Sequence, residues 1–134
     1  MRLVLASDVH SRHRSLAVPP GDALVLAGDL TQDGTAAELR DFAAWLGGLP
    51  HRHKVVVAGN HDAACEDLGQ DVLGRVARYL CDSGAEIEGL RFWGSPYRVA
   101  EAERVRGGRC KHGAFTLDET WGEHAWREIP EGVD

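Results

Sequence analysis

The 134-residue sequence is poor in several features, and each absence excludes a class of protein. Three cysteines at irregular spacings do not form a disulfide framework, and they predict a reducing compartment. No apolar run reaches the length that crosses a bilayer and no signal peptide is visible, so we expect a cytoplasmic protein without membrane association. The net charge of −6 argues against general affinity for nucleic acids or anionic membranes.

Internal repeats, low-complexity tracts and a recognisable linker are also lacking. The length suits one compact domain, and we expect residues 1–134 to form it. An apolar fraction of 43% and a charged fraction of 27% are typical of a globular rather than a disordered chain.

Three short apolar runs dominate the first half of the chain, at residues 3–6, 23–27 and 55–58. They are continuous rather than alternating, which is typical of strands buried on both faces. The connections between them are long enough for crossovers between parallel strands. The first half therefore predicts a parallel sheet.

Helical and weaker strand patterns fill the rest of the sequence. Thr35 and Glu38 form a capping-box pattern, and the helix that they begin ends at Gly47-Gly48. Further predicted elements are a helix over 70–81, strands at 85–87 and 90–93, an exposed loop over 98–113 and a short helix over 117–126. The coarse order β, β, α, β, α, β, β, α predicts an α/β fold.

Each apolar run ends in alanine, and a side chain that can bind a metal stands two residues further on. These side chains are Asp8, Asp29 and Asn60, with His10 and His61 beside them. Ligands collect at the carboxyl ends of parallel strands, so we expect the three to converge on one crevice. A single polar side chain after a strand is common and usually has no function. Three such side chains at equivalent positions, with histidines beside them, indicate a site. Carboxylate, imidazole and amide donors suit Mn, Fe or Zn better than calcium.

The three strand ends resemble, in order and spacing, the opening motifs of the calcineurin-like metallophosphoesterases. The motifs read D-x-H, G-D and G-N-H-(D/E), and here they are Asp8-Val9-His10, Gly28-Asp29 and Gly59-Asn60-His61-Asp62. Gly94-Ser95-Pro96-Tyr97 and the segment 129–134 resemble the small MPPED/239-type branch of that family. The resemblance implies part of a β-sandwich flanked by helices.

The resemblance also implies a site with two divalent metal ions. Asp8 and His10 would hold the first metal, Asp29 would bridge both, and Asn60 would bind the second. A water bridging the two metals would then hydrolyse a small phosphate ester, either a monoester or a diester.

Two further residues gain roles from the same resemblance. His61 would stand beside the phosphate as a proton donor or transition-state stabiliser, and Asp62 would orient His61. No protein nucleophile is needed. Cys65 follows the third motif, but without an activating base we expect a buried structural thiol.

The later H-G and G-H-x-H segments of the family do not occur in this sequence, so we expect a chain truncated before them, with metals short of ligands and little activity by itself. Among the remaining histidines, His13 is a candidate to approach phosphate. The others are expected to be surface residues, and they are His51, His53, His112 and His124. Truncation would expose an edge of the sheet, which predicts marginal stability or a homodimer.

Two alternatives differ in class from a phosphoesterase. One is a truncated or degenerate relative that binds metal weakly or serves as an interaction module. The other is a Rossmann-type nucleotide binder, which is disfavoured because no glycine-rich phosphate loop follows the first strand.

Overall fold

A computed structural model describes residues 1–99, 113–117 and 119–134 of the chain. The α-helices and strands of these residues are, in order, β1 (Leu3–Ala6), β2 (Ala23–Ala27), α1 (Ala36–Gly47), β3 (His53–Val57), α2 (Cys65–Leu73), β4 (Arg78–Leu80), β5 (Ser83–Ile87), β6 (Leu90–Gly94), β7 (Arg98–Val99), β8 (Thr116–Leu117) and α3 (Glu119–Arg127). A short 3-10 turn at His13–Ser15 follows β1.

The central element is a four-stranded parallel sheet in the order β1-β2-β3-β4. Its carboxyl ends therefore lie along one edge, as the three apolar runs predict. An antiparallel hairpin, β5-β6, and a short parallel pair, β7-β8, follow it. The predicted α/β fold with a parallel first sheet is confirmed.

Helix α1 forms where the capping pattern predicts it. The Thr35 hydroxyl accepts a hydrogen bond from the Glu38 amide, and the Glu38 side chain accepts one from the Thr35 amide. The apolar face of α1 packs on one face of the sheet in the main core, whose fully buried large side chains include Leu24, Leu26, Leu39, Phe42, Leu46 and Val56. This packing fixes α1 beside the loops that follow β1 and β2.

The opposite face of the sheet carries a smaller core. Val55, Leu80 and Ile87 form it with side chains of the β5-β6 hairpin. At the edge strand β1, Leu3 and Leu5 remain 38% and 70% exposed. The sequence-based prediction of self-association rests on an exposed edge of the sheet, and apolar side chains on an edge strand favour such pairing.

The helix predicted over 70–81 is wrong in its extent. Helix α2 begins earlier, at Cys65, and ends at Leu73, whereas Arg78–Leu80 form strand β4 beside β3. The apolar residues of this stretch also fit helical spacing, which is why periodicity alone misassigns them. Pairing with the edge of β3 decides the conformation instead.

The carboxyl-terminal part differs in smaller ways. The predicted loop over 98–113 begins with strand β7, and residues 100–112 of it lie outside the described residues. The last helix runs over Glu119–Arg127 rather than 117–126, because Leu117 belongs to β8. In the part of the chain that the structure describes, no helix has the length and apolar character needed to cross a membrane.

Candidate metal centre

The loops that follow β1 and β2 are joined to each other through their backbones. The Asp8 amide donates to the Gly28 carbonyl at 3.1 Å, and the His10 amide donates to the Asp29 carbonyl at 2.9 Å. Asp8, His10, Ser11 and Asp29 all have positive φ angles, of 56°, 43°, 58° and 50°. Such backbone persists only where its surroundings hold it, and it concentrates at functional sites.

Three donor groups from three strand ends form a close cluster. Donor atoms of His10, Asp29 and His61 all lie within 4.8 Å of one another. His10 Nε2 is 3.8 Å from Asp29 Oδ2 and 3.9 Å from Asp8 Oδ1. The His10 and His61 rings meet edge to face, with centroids 4.5 Å apart. The cluster is partly buried and open to a cleft.

Asp8, Asp29 and Asn60, which the sequence expects to converge, line one cleft of about 400 Å³. Its other wall comes from the end of β6 and the residues after it, including Trp93, Ser95, Pro96 and Arg98. The structure therefore brings the four expected metal ligands, Asp8, His10, Asp29 and Asn60, and the expected catalytic residue His61 to the same end of the sheet.

Close packing holds the Asp29 carboxylate in place. Its Oδ1 accepts a hydrogen bond from the His61 amide at 3.1 Å. A Cβ atom on Gly59 would overlap both that oxygen and the Asp29 amide nitrogen. Gly28, with a φ of +86°, turns the chain directly before Asp29. The glycines of the G-D and G-N-H-D segments are therefore required by space and conformation.

Asp62 contacts different groups from those expected. Its buried carboxylate accepts hydrogen bonds from the amides of Leu30, Thr31 and Gly59 at 3.1, 2.8 and 2.8 Å, and from the Thr31 hydroxyl at 2.7 Å. Asp62 thus ties the loop after β2 to the loop after β3. From the sequence we expect Asp62 to orient the His61 ring. The ring contact that the structure shows is to Gln32, with His61 Nδ1 2.9 Å from its carbonyl oxygen.

Two of the other histidines are buried, and the expected surface position of His51 is wrong. His13 does not approach the cleft; it is buried against the Phe42 and Trp45 rings, and its Nε2 lies 3.0 Å from Asp41. His51 is buried rather than on the surface, with Nε2 3.0 Å from the Pro19 carbonyl oxygen. In each buried ring, one nitrogen has a polar partner, which offsets part of the cost of burying it.

Three histidines remain, and the two that the structure describes do not belong to the cluster. His53 Nε2 lies 3.1 Å from Glu88 at the opposite end of β3 from Asn60, and His124 is in α3. His112 is outside the described residues.

Cys65 is a buried structural thiol. It is 4% exposed and belongs to the main core. Burial, together with Asp62 and Cys81 nearby, raises the pKa of the Cys65 thiol well above its ordinary value. A thiol of this kind is not a nucleophile near neutral pH, as the sequence predicts.

The donor chemistry of the cluster fits divalent transition metals. Two imidazoles and a carboxylate stand within mutual reach, and a second carboxylate and an amide line the same cleft.

Sequence reasoning missed the Gln32 carbonyl and the Ser11 hydroxyl as partners of the site. A backbone carbonyl has no sequence signature, so the contact of His61 with Gln32 could not be predicted. The Ser11 hydroxyl could not be predicted either, because its partner Glu38 is recognisable in the sequence only as a helix-capping residue.

Comparisons with known proteins identify the family of this chain. A model of the calcineurin-like phosphoesterases matches residues 1–131. Metallophosphoesterase domain-containing protein 1 of Homo sapiens is 32% identical over 99% of this chain and 46% of its own length. A UPF0046 protein of Caenorhabditis elegans is 33% identical over the whole chain and 51% of its own length. The chain spans about half the length of these relatives, and it belongs to the calcineurin-like phosphoesterase family, whose members hydrolyse phosphate esters with divalent metals.

Proposed function

We propose that this chain contributes Asp8, His10, Asp29 and Asn60 as metal ligands to a site that hydrolyses a small phosphate ester. The observation that carries the proposal is the cluster of His10, Asp29 and His61 donors within 4.8 Å at the carboxyl ends of parallel strands. Two divalent ions, of Mn, Fe or Zn, suit these donors. Bound there, they would activate a water for attack and neutralise charge on the phosphate oxygens.

The chain's own residues prepare the cleft for a phosphate. The Asp29 carboxylate is fixed by the His61 amide and by the space that Gly59 leaves, so its oxygens meet an ion without reorganisation. His61 belongs to the same cluster, and when both ring nitrogens carry a proton its Nε2 can donate to a phosphate oxygen while Nδ1 donates to the Gln32 carbonyl. Arg98 lines the cleft and adds a positive charge that favours an anionic substrate.

The first test is calorimetric titration of the chain with manganese. We expect binding that Asp29→Asn weakens by at least about tenfold, because Asp29 is central to the cluster. Asp71→Asn is the matched control, because this exposed aspartate of α2 lies outside the cleft and its replacement removes the same charge. Equal binding by wild type and Asp29→Asn would refute the assignment.

The second test measures hydrolysis of a model phosphodiester and a model phosphomonoester with manganese, iron or zinc. The activity is expected to require Asp29 and to be weak in this chain alone, since the described cluster offers few donors for two ions. Manganese binding without metal-dependent hydrolysis of either ester would favour the alternative of a non-catalytic relative.

A further inference from the structure

The loops that follow β1 and β2 meet at one carboxylate, that of Glu38 in the first turn of α1. Its Oε1 accepts hydrogen bonds from the Ser11 hydroxyl at 2.7 Å and the Gln32 amide at 3.1 Å. Its Oε2 accepts from the amide and the hydroxyl of Thr35 at 3.0 and 2.9 Å. The Ser11 oxygen in turn accepts from the Gln32 amide at 3.1 Å. Glu38 therefore fixes Ser11, next to His10, and Gln32 together.

Gln32 continues this network to the third strand end. His61 Nδ1 lies 2.9 Å from the Gln32 carbonyl oxygen. A carbonyl oxygen only accepts, so Nδ1 carries the proton and donates it. In the neutral ring the lone pair then lies on Nε2. In water, a neutral histidine side chain favours the opposite tautomer, so the protein must impose this one.

We propose that Glu38 is a positioning residue for His61, acting through Ser11 and Gln32 to set the tautomer and direction of the imidazole ring. The inference rests on the proposed function in one respect, which is that His61 contacts the phosphate of the substrate. Conventional helix capping accounts for the Thr35 contacts of Glu38 but not for those to Ser11 and Gln32, which lie outside the helix.

The charge of Glu38 suits this role. Although burial opposes ionisation, hydrogen bonds from Thr35, Ser11 and Asp33 lower the pKa of Glu38 to about 2. The side chain is therefore a carboxylate at every pH at which hydrolysis would be measured. Hydrogen bonds to an ionised acceptor are stronger than those to a neutral one. The Glu38 carboxylate therefore holds Gln32 where its carbonyl meets His61 Nδ1.

The test reads the His61 tautomer directly in metal-free protein. A long-range proton–nitrogen correlation spectrum of the ¹⁵N-labelled chain at about pH 8, where an ordinary imidazole is neutral, shows which ring nitrogen is protonated. The His61 signals are identified by their loss in His61→Gln. We expect Nδ1–H in the wild type and a change to mostly Nε2–H in Glu38→Ala.

Thr35→Ala is the matched control, because it also breaks the capping box but keeps Glu38 on Ser11 and Gln32. It is expected to lower the melting temperature and leave the His61 tautomer unchanged. Should Glu38→Ala not fold, Glu38→Asp replaces it, because the shorter side chain keeps a negative charge in the first turn of α1 but withdraws the carboxylate from Ser11 and Gln32. Retention of Nδ1–H in Glu38→Ala or in its replacement, or its loss in Thr35→Ala as well, would overturn the inference.

Metal binding separates this inference from the proposed function. Glu38→Ala is expected to weaken manganese binding by about tenfold, because it also releases Ser11, the neighbour of the proposed ligand His10. Thr35→Ala is expected to weaken it by less than about twofold. A wild type that shows the Nδ1–H tautomer and binds no manganese would reject the proposed function and still support the positioning role of Glu38.

Discussion

His10 Nε2 lies 3.8 Å from Asp29 Oδ2, although the two residues belong to the loops of different strands. Backbone hydrogen bonds between those loops, from Asp8 to Gly28 and from His10 to Asp29, set this distance. His10 and Asp29 are two members of the candidate metal cluster. The third member is His61, which follows β3.

The glycine at position 59 is predicted to be essential for metal binding. In Gly59→Ala the new methyl group would overlap the Asp29 carboxylate and amide. We expect a loss of about 1–3 kcal/mol in the free energy of unfolding and at least tenfold weaker manganese binding. Urea denaturation and calorimetry measure the two effects. Gly48→Ala, whose methyl group would make only ordinary contacts, is the control and should change neither.

Asp62 is predicted to be a major stabilising residue of the site. In Asp62→Asn one carboxylate oxygen becomes an NH₂ group that faces amide donors, so at least one hydrogen bond is replaced by a repulsive contact. The free energy of unfolding should fall by about 2–4 kcal/mol, measured by urea denaturation. Asp71→Asn should change it by less than about 0.5 kcal/mol. Similar values for the two variants would contradict this view of Asp62.

The stability contributed by Glu38 is predicted to depend on pH. Hydrogen bonds outweigh desolvation and lower its pKa from the ordinary 4.5 to about 2 in the folded state. The contribution is therefore complete above pH 4.5 and is lost as the pH falls toward 2. The difference in free energy of unfolding between wild type and Glu38→Gln should shrink over this window. A difference that stays constant from neutral pH to pH 2 would disprove the linkage.

Self-association through the edge of the sheet is predicted to depend on Leu5. This side chain is 70% exposed on edge strand β1. In Leu5→Lys we expect a smaller fraction of dimer in sedimentation velocity, since a charge on an edge strand opposes pairing. Leu16→Lys, on a partly exposed residue outside the strands, is the control and should leave the dimer unchanged. A monomeric wild type would contradict the prediction.

Much of the fold is predictable because its signals are local. Continuous apolar runs identify β1, β2 and β3, and the Thr35–Glu38 capping box places the start of α1. Strand β4 is the informative failure. Leu80 continues the helical spacing of the apolar residues before it, so the sequence pattern predicts a helix through residue 81. Pairing with β3 makes Arg78–Leu80 extended instead. A strand at the edge of a sheet depends on a partner that is distant in the sequence.

The sequence by itself determined which donor groups follow which strands, because parallel strands place their carboxyl ends along one edge. Only the tertiary structure decided how those groups are held. It places the Asp62 carboxylate on backbone amides and gives His61 to the Gln32 carbonyl. It also buries His13 and His51. Backbone amides and carbonyls are the same in every residue type, so no sequence pattern reveals which side chain they will meet.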